Sequence, residues 1–431
     1  MKIRFFHIKL ITMAEGEQVI PDGELWTEDG VVSYAGSADG APNPEGVKWD
    51  RQIDGRGNLV IPGFKNAHTH SAMTFLRSFA DDLPLAEWLN RQVFPMEAKL
   101  TPEDVYHLSK LALMEYLTSG ITANFDMYMY PDQIALASAD CGFRTVIAGT
   151  LNDFSSSLEE EDDHYVRLNC FHPLIRYQLG FHAEYTTGES LLKGLSGLAE
   201  KHRAPVYCHN SETAAEVAGC VERHKATPTV YLNSLGLFQY GGGGFHCLYM
   251  SPEDLEIFQR KRLYAVTNPA SNLKLASGIA PVGEMVRLGI PVAIGTDGPA
   301  SNNCLDMFRE MFLVTGLAKV KEQDAAAMPA GEVLRMACCE GARAMGLSDC
   351  DSLAAGKRAD LVMIDLNQPN MQPENHVMKN LVYSGSKQNV KLTMIDGRIL
   401  YENGEFRIGE DPARIYRKAN EIMKRCREGL S

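Results

Sequence analysis

The stretch "LVIPGFKNAHTH", residues 59–70, decides how this chain reads. An apolar run follows a Gly-rich turn and ends on His68 and His70. Along a strand, side chains two residues apart share a face, with Cα atoms roughly 6.5 Å apart, so both imidazoles can converge on one ion. The bland alternative is a surface histidine beside a hydrogen-bonded core one, and only partners elsewhere in the chain can separate the two readings.

Outward from this stretch, apolar strands alternate with helical segments as far as about residue 350. The strand candidates are "ITANFDMYMY" (121–130), "RTVIAGTL" (144–151), "YQLGFHAEY" (177–185), "APVYCHNSE" (204–212), "GGFHCLYM" (243–250), "RLYAVTNPAS" (262–271) and "PVAIGTDG" (291–298). With 59–70 they make eight, and eight strands alternating with helices predict an α/β fold, a (β/α)8 TIM barrel over residues 59–350. Residues 1–58 and 351–431 offer short strands and turns, expected to pair as the two parts of one small β-sandwich, the second part carrying a terminal helix. That helix, in "ARIYRKANEIMKRCREGL" (413–430), reads as a solvated surface helix packing one apolar face. The acidic run "LEEEDDHY" (158–165) reads as an exposed loop, and the glycines of "QYGGGGFHC" (239–247) as a mobile loop or a tight turn.

Composition narrows the function. With 55 acidic against 42 basic residues, a formal charge of -13 and no dense basic block, the chain has no surface suited to nucleic acid or anionic membrane. Its ten cysteines are scattered without a C-x-x-C pair, as in reduced cytoplasmic proteins, and no apolar run is long enough to span a membrane. A soluble cytoplasmic protein acting on a small molecule is the expectation.

A barrel presents its functional groups at the C-terminal ends of its strands. There the sequence places His68 and His70 (strand one), His182 (strand four), His209 with Glu212 (strand five), His246 (strand six) and Asp297 (strand eight). Unrelated core histidines would not gather at one end. His68, His70, His209 and Asp297 are the ligand types of one divalent metal, Zn2+ first and Fe2+ as the alternative. A second metal would need a bridging anion, commonly from strand four, where this chain has neutral His182. Water activated at such a metal suits hydrolytic deamination of a ring amidine. Glu212 would protonate the ring nitrogen, His246 would polarise the attacking water or the developing alkoxide, and Asp297 would hand the water's proton to the departing ammonia.

These motifs, together with "WLNRQVFPMEAKLT", "HNSET", "NPASNLKLASGIAP" and "GTDGPASNN", resemble the amidohydrolase superfamily, in its chlorohydrolase/deaminase branch with the S-adenosylhomocysteine and 5'-methylthioadenosine deaminases. The resemblance implies the same four metal ligands, Glu212 as catalytic glutamate and His246 as the strand-six histidine. It also implies that Glu97 accepts hydrogen bonds from ribose hydroxyls and that His182 contacts the nucleoside. Without the resemblance, Glu97 serves equally as a helix-capping carboxylate. Trp88 is either a core aromatic or a wall for the base. The implied substrate is an adenosine-type nucleoside: adenosine, 5'-deoxyadenosine, 5'-methylthioadenosine or S-adenosylhomocysteine. Guanine, a pterin, a triazine or a halogenated ring is the alternative. Members that take S-adenosylhomocysteine look as if arginines near strand three hold its carboxylate, whereas "IAGTLNDFSSSLEEEDDHYVRL" has none close after the strand; Arg167 and Arg176 read as surface residues. A neutral 5' tail is therefore favoured. Homo-oligomers are common in the family, and no residue here decides that point. The separate zinc deaminases with H-x-E and P-C-x-x-C are excluded, since neither motif occurs at suitable spacing.

Overall fold

Eight parallel strands hydrogen-bond in sequence order: β1 (Phe64–Thr69), β2 (Ile121–Asp126), β3 (Arg144–Ala148), β4 (Ile175–Ala183), β5 (Val206–Asn210), β6 (Gly242–His246), β7 (Tyr264–Thr267) and β8 (Val292–Ile294). The computed structural model describes residues 1–14, 18–79, 81–83 and 87–428. Most of these strands are buried along their whole length, as expected where helices cover one face and the barrel interior fills the other. β8 returns to β1 through the amides of Thr296 and Asp297, both donating to the His68 carbonyl, at 3.1 and 3.0 Å. The Asn66 side chain adds two bonds to Thr296, at 2.7 and 2.8 Å. Several outer helices start where Ser or Thr and an acid three residues on cap each other, as at Thr101/Asp104, Thr213/Glu216 and Ser251/Asp254.

The chain ends build one nine-stranded sheet around its own apolar core. Leu59–Pro62 stitches it together, pairing parallel with Lys2–Leu10 and antiparallel with Leu361–Ile364 immediately before β1 begins. The buried Arg144–Asp360 pair, at 2.7 Å, ties β3 to this sheet. The terminal helix, Pro412–Arg427, buries Ile415, Ala419, Ile422 and Cys426, the single apolar face expected of it.

Two sequence readings need correction. The glycine run is neither a mobile loop nor a tight turn, because Gly242, Gly243 and Gly244 are part of strand β6 itself. A Cβ on Gly242 would lie 1.9 Å from the Val206 carbonyl oxygen, and one on Gly243 2.2 Å from that of Tyr264. Glycine is required there because β5 and β7 press against the strand. The acidic run is not a loop but the helix Leu158–Leu168, capped by Ser157 and Glu160. Its charges face solvent except Glu161, which is 3% exposed and accepts hydrogen bonds from the Tyr177 hydroxyl (2.8 Å) and the Gly180 amide (3.1 Å).

Burial raises the Glu161 carboxyl to about 7, against those two donors. Its folded pKa then exceeds its unfolded one, so the folded state holds the extra proton and stability declines as pH rises through that window. Glu161→Gln should therefore gain thermal stability relative to the parent between about pH 5 and pH 8. A difference in unfolding midpoint that stays constant across that range would refute this reading.

Candidate active site and metal centre

β1 delivers the first two imidazoles. His68 and His70 face the barrel mouth with ring centroids 4.8 Å apart, while Thr69 between them turns away to bond the Tyr116 hydroxyl at 2.8 Å. His209 at the end of β5 brings its ring to 4.9 Å from His68 and 5.4 Å from His70. Asp297, just past β8, sets Oδ1 at 3.6 Å from His68 Nε2 and 3.2 Å from His70 Nε2. His246, the last residue of β6, stands with its ring 5.8 Å from His68 and 5.6 Å from His209. Ligand atoms of His68, His70 and Asp297 lie within 4.8 Å of one another, as do those of His68, His209 and His246.

The surrounding hydrogen bonds aim these rings. His70 Nδ1 meets the Met127 carbonyl (2.5 Å), His209 Nδ1 that of His182 (2.8 Å), and His246 Nδ1 the Asn272 Oδ1 (2.7 Å). Donation from Nδ1 leaves each Nε2 lone pair facing inward, as ligating histidines require. His68 is fully buried, and among the described residues neither of its ring nitrogens has a hydrogen-bond partner. A buried polar group left unpaired costs roughly 1–3 kcal/mol, a cost that a cation bound at the Nε2 side would offset.

Electrostatics agree. Burial and then the neighbouring imidazoles push His68 and His209 well below their ordinary range. Burial also opposes charge on His70 and Asp297, but their mutual hydrogen bond wins, lifting His70 to about 9 and holding the Asp297 carboxyl well down. Two neutral imidazoles, His68 and His209, beside an ionised Asp297 form a donor set that fits a divalent cation, whose binding would displace the proton that His70 shares with Asp297.

Trp88, Glu97, His182, Glu212, His246 and Asp297 line one cavity above this cluster, with His70 and His209 in its floor. The sequence-predicted site residues are thus brought together, His68 lying just beneath the floor. Glu212 reaches to 3.9 Å from His246 Nε2, and burial raises its carboxyl. Its backbone is fixed by Glu216, which accepts the amides of Ser211 (2.8 Å) and Glu212 (2.7 Å). Glu97 takes a hydrogen bond from the Tyr128 hydroxyl at 2.5 Å and lines the cavity, and among the described residues no helix-end amide donates to its carboxylate. Burial raises it to about 7 against that donor. Trp88 packs in an apolar cluster with Val93 and Met96 and also lines the cavity.

Sequence reasoning missed Tyr128, Glu216, Ser271 and Asn272. Glu216 could have been found as the acid of the T-x-x-E cap that begins at Thr213, and Tyr128 as a polar residue just past the end of β2. No arginine or lysine among the described residues lines the cavity. Arg167 instead pairs with Asp132 and Asp163 on the outer surface, and Arg176 bonds the Ile175 carbonyl.

Residues 59–400 match the amidohydrolase family. A 5-methylthioadenosine/S-adenosylhomocysteine deaminase of Thermoanaerobacter pseudethanolicus is 37% identical over 415 residues, covering 94% of this chain and 95% of that one. A 5'-deoxyadenosine deaminase of Methanothermobacter thermautotrophicus is 38% identical over 370 residues, 84% of this chain and 86% of its own. The crystal structure of an adenosine deaminase from Xanthomonas campestris with bound zinc superposes with a TM-score of 0.93 at 32% identity, covering 99% of this chain and 98% of that one. With the family matched across most of its length and relatives this similar from end to end, the chain belongs to the amidohydrolase family.

Proposed function

We propose that the protein is a zinc-dependent aminohydrolase that converts an adenosine-type nucleoside with a neutral 5' substituent, together with water, to the inosine analogue and ammonia. The observation that carries this reading is one cavity lined by His70, His209, His246 and Asp297 together with the carboxyls of Glu212 and Glu97, over the groups His68/His70/Asp297 and His68/His209/His246 whose ligand atoms lie close together. Support for the substrate class comes from the relatives, named as deaminases of 5-methylthioadenosine, S-adenosylhomocysteine and 5'-deoxyadenosine. Support for a neutral tail comes from the cavity wall, where Thr150, Asn152 and Ser155 stand and no cation does among the described residues. A buried carboxylate without a partner is costly, so a tail that carries one gains nothing there.

His68, His70, His209 and Asp297 would hold one Zn2+. When bound, the ion supplies hydroxide near neutral pH by lowering the pKa of water to about 7. Glu212, whose burial favours the protonated form, would deliver its proton to the ring nitrogen beside the reacting carbon and regain one from the next water. His246, with Nδ1 engaged by Asn272, offers Nε2 to the same water. Asp297 carries the second proton to the leaving amino group. Glu97 lies across the cavity, where two ribose hydroxyls can donate to its carboxylate, and His182 and Trp88 wall the nucleoside between them.

Three outcomes are expected. Glu212→Gln should keep its zinc, read by metal analysis, while kcat for adenosine-type substrates falls by about 10²–10⁴; unchanged turnover would sink the assignment of Glu212. Removing the metal with a chelator should abolish ammonia release, and zinc should restore it. Glu97→Ala should raise KM for adenosine, 5'-deoxyadenosine and 5'-methylthioadenosine by at least about tenfold while leaving any adenine or guanine activity unchanged, since the loss of hydrogen bonds to a buried carboxylate costs roughly 1.5–3 kcal/mol. Turnover of free bases alone would move the protein to the heterocycle branch.

A further inference from the structure

Asp297 presents two faces. Oδ1 looks toward His68 and His70, and accepts the Gly298 amide at 2.8 Å. Oδ2 accepts two hydroxyls, Ser271 at 2.6 Å and Ser301 at 2.8 Å. Those serines come from different segments: Ser271 from the short helix Pro269–Lys274 after β7, and Ser301 from the loop after β8. Two flexible hydroxyls meeting on one oxygen need their segments held at a fixed separation.

One side chain spans that separation. Glu310, in the first turn of the helix Met307–Glu322, is fully buried. Its Oε2 accepts the Ala270 amide at 3.1 Å, and its Oε1 accepts the Asn302 carboxamide at 2.8 Å. Each bond lands on the neighbour of a serine that touches Asp297. The same Asn302 nitrogen also donates to the Thr296 carbonyl at 2.6 Å, so the arm reaches the backbone next to Asp297. The short helix carries Asn272 as well, the partner of His246.

We propose that Glu310 is a positioning residue for the metal centre: by bridging Ala270 and Asn302 it holds Ser271 and Ser301 on the outer oxygen of Asp297 and so commits the inner oxygen to the cation. The inference rests on the metal-site reading given above. Glutamate is the one side chain of this length that offers two acceptor oxygens to two donors. Glutamine keeps the shape but turns one acceptor into a donor, which then faces either the Ala270 amide or the Asn302 nitrogen.

The test is zinc affinity of the full chain, measured by competition with a chromophoric chelator, with thermal unfolding as the control for fold. Glu310→Gln should weaken zinc binding about 10–100-fold, the usual scale for partners of ligating carboxylates. Ser271→Ala/Ser301→Ala should weaken it similarly, and combining both changes should add little, because Glu310 acts through those hydroxyls. Asn302→Ala, which cuts one arm without touching the carboxylate, supplies a second cycle with Ser301→Ala should Glu310→Gln fail to fold. Affinity within twofold of the parent, or strictly additive losses in the cycle, would overturn the proposal. A parent chain that binds no zinc would overturn the metal-site reading itself, which separates the two failures.

Discussion

Closure of β1 against β8 is the constraint on which the site depends. The strand that carries His68 and the one that leads to Asp297 lie at opposite ends of the hydrogen-bonding order, and only a closed barrel brings them side by side. Asp297 adopts a left-handed conformation, φ 58°, where its amide reaches the His68 carbonyl and its own carbonyl accepts the Thr69 and Thr296 hydroxyls. A conformation of this kind persists only where its surroundings over-determine it. The backbone at this point is therefore held by the same strand whose histidines its side chain faces, so opening the barrel seam would dismantle the cation site directly.

That seam also explains what could be read from the sequence. The strands declared themselves as eight apolar runs, and the polar residues at their ends named the cluster, because chemistry at a barrel mouth is confined to those positions. Position along the strand was enough to gather His68, His70, His209, His246 and Asp297. Two features misled. Glycines signal turns when neighbours are ignored, yet in β6 they answer to carbonyls of β5 and β7 that no local pattern reveals. An acidic run signals solvent, and most of the helix obeys, but the one carboxyl that turns inward does so for Tyr177 and Gly180 on β4. Ser271 and Ser301 were invisible for a related reason: a hydroxyl has a role here only through the oxygen it meets.

The buried acids form a graded set. Glu97, Glu216 and Glu310 are raised to about 7, 7 and 8, in each case first by burial, yet all retain donors that favour the anion. Glu216 and Glu310 spend theirs on backbone amides and a carboxamide, fixing the loops that carry Glu212 and Asp297. Glu97 has the Tyr128 hydroxyl on Oε1, which leaves acceptor capacity on its carboxylate facing the cavity. The same residue type thus stands both in the scaffold and at the cavity wall, and the difference lies in whether the acceptor capacity is filled from within the chain.

The wall that carries Glu97 depends on the far end of the chain. The segment Trp88–Glu97 packs Trp88, Val93 and Met96 into the apolar cluster that takes Ala419, Ile422 and Cys426 from the terminal helix. Lys99, two residues past Glu97, donates to the carbonyls of Cys426 (2.7 Å) and Glu428 (2.8 Å), satisfying the exposed end of that helix where a cation is favoured. Arg425 returns the contact, reaching the Lys99 carbonyl at 3.0 Å and Asp104 at the start of the next helix. The floor of the cavity is set by strand closure, but the wall that carries Glu97 is packed against a helix that the sequence offers only as a basic, amphipathic tail. The histidine–aspartate cluster and the wall that carries Glu97 are therefore anchored by separate parts of the fold, and a change in the terminal helix can reach that wall without passing through the cluster.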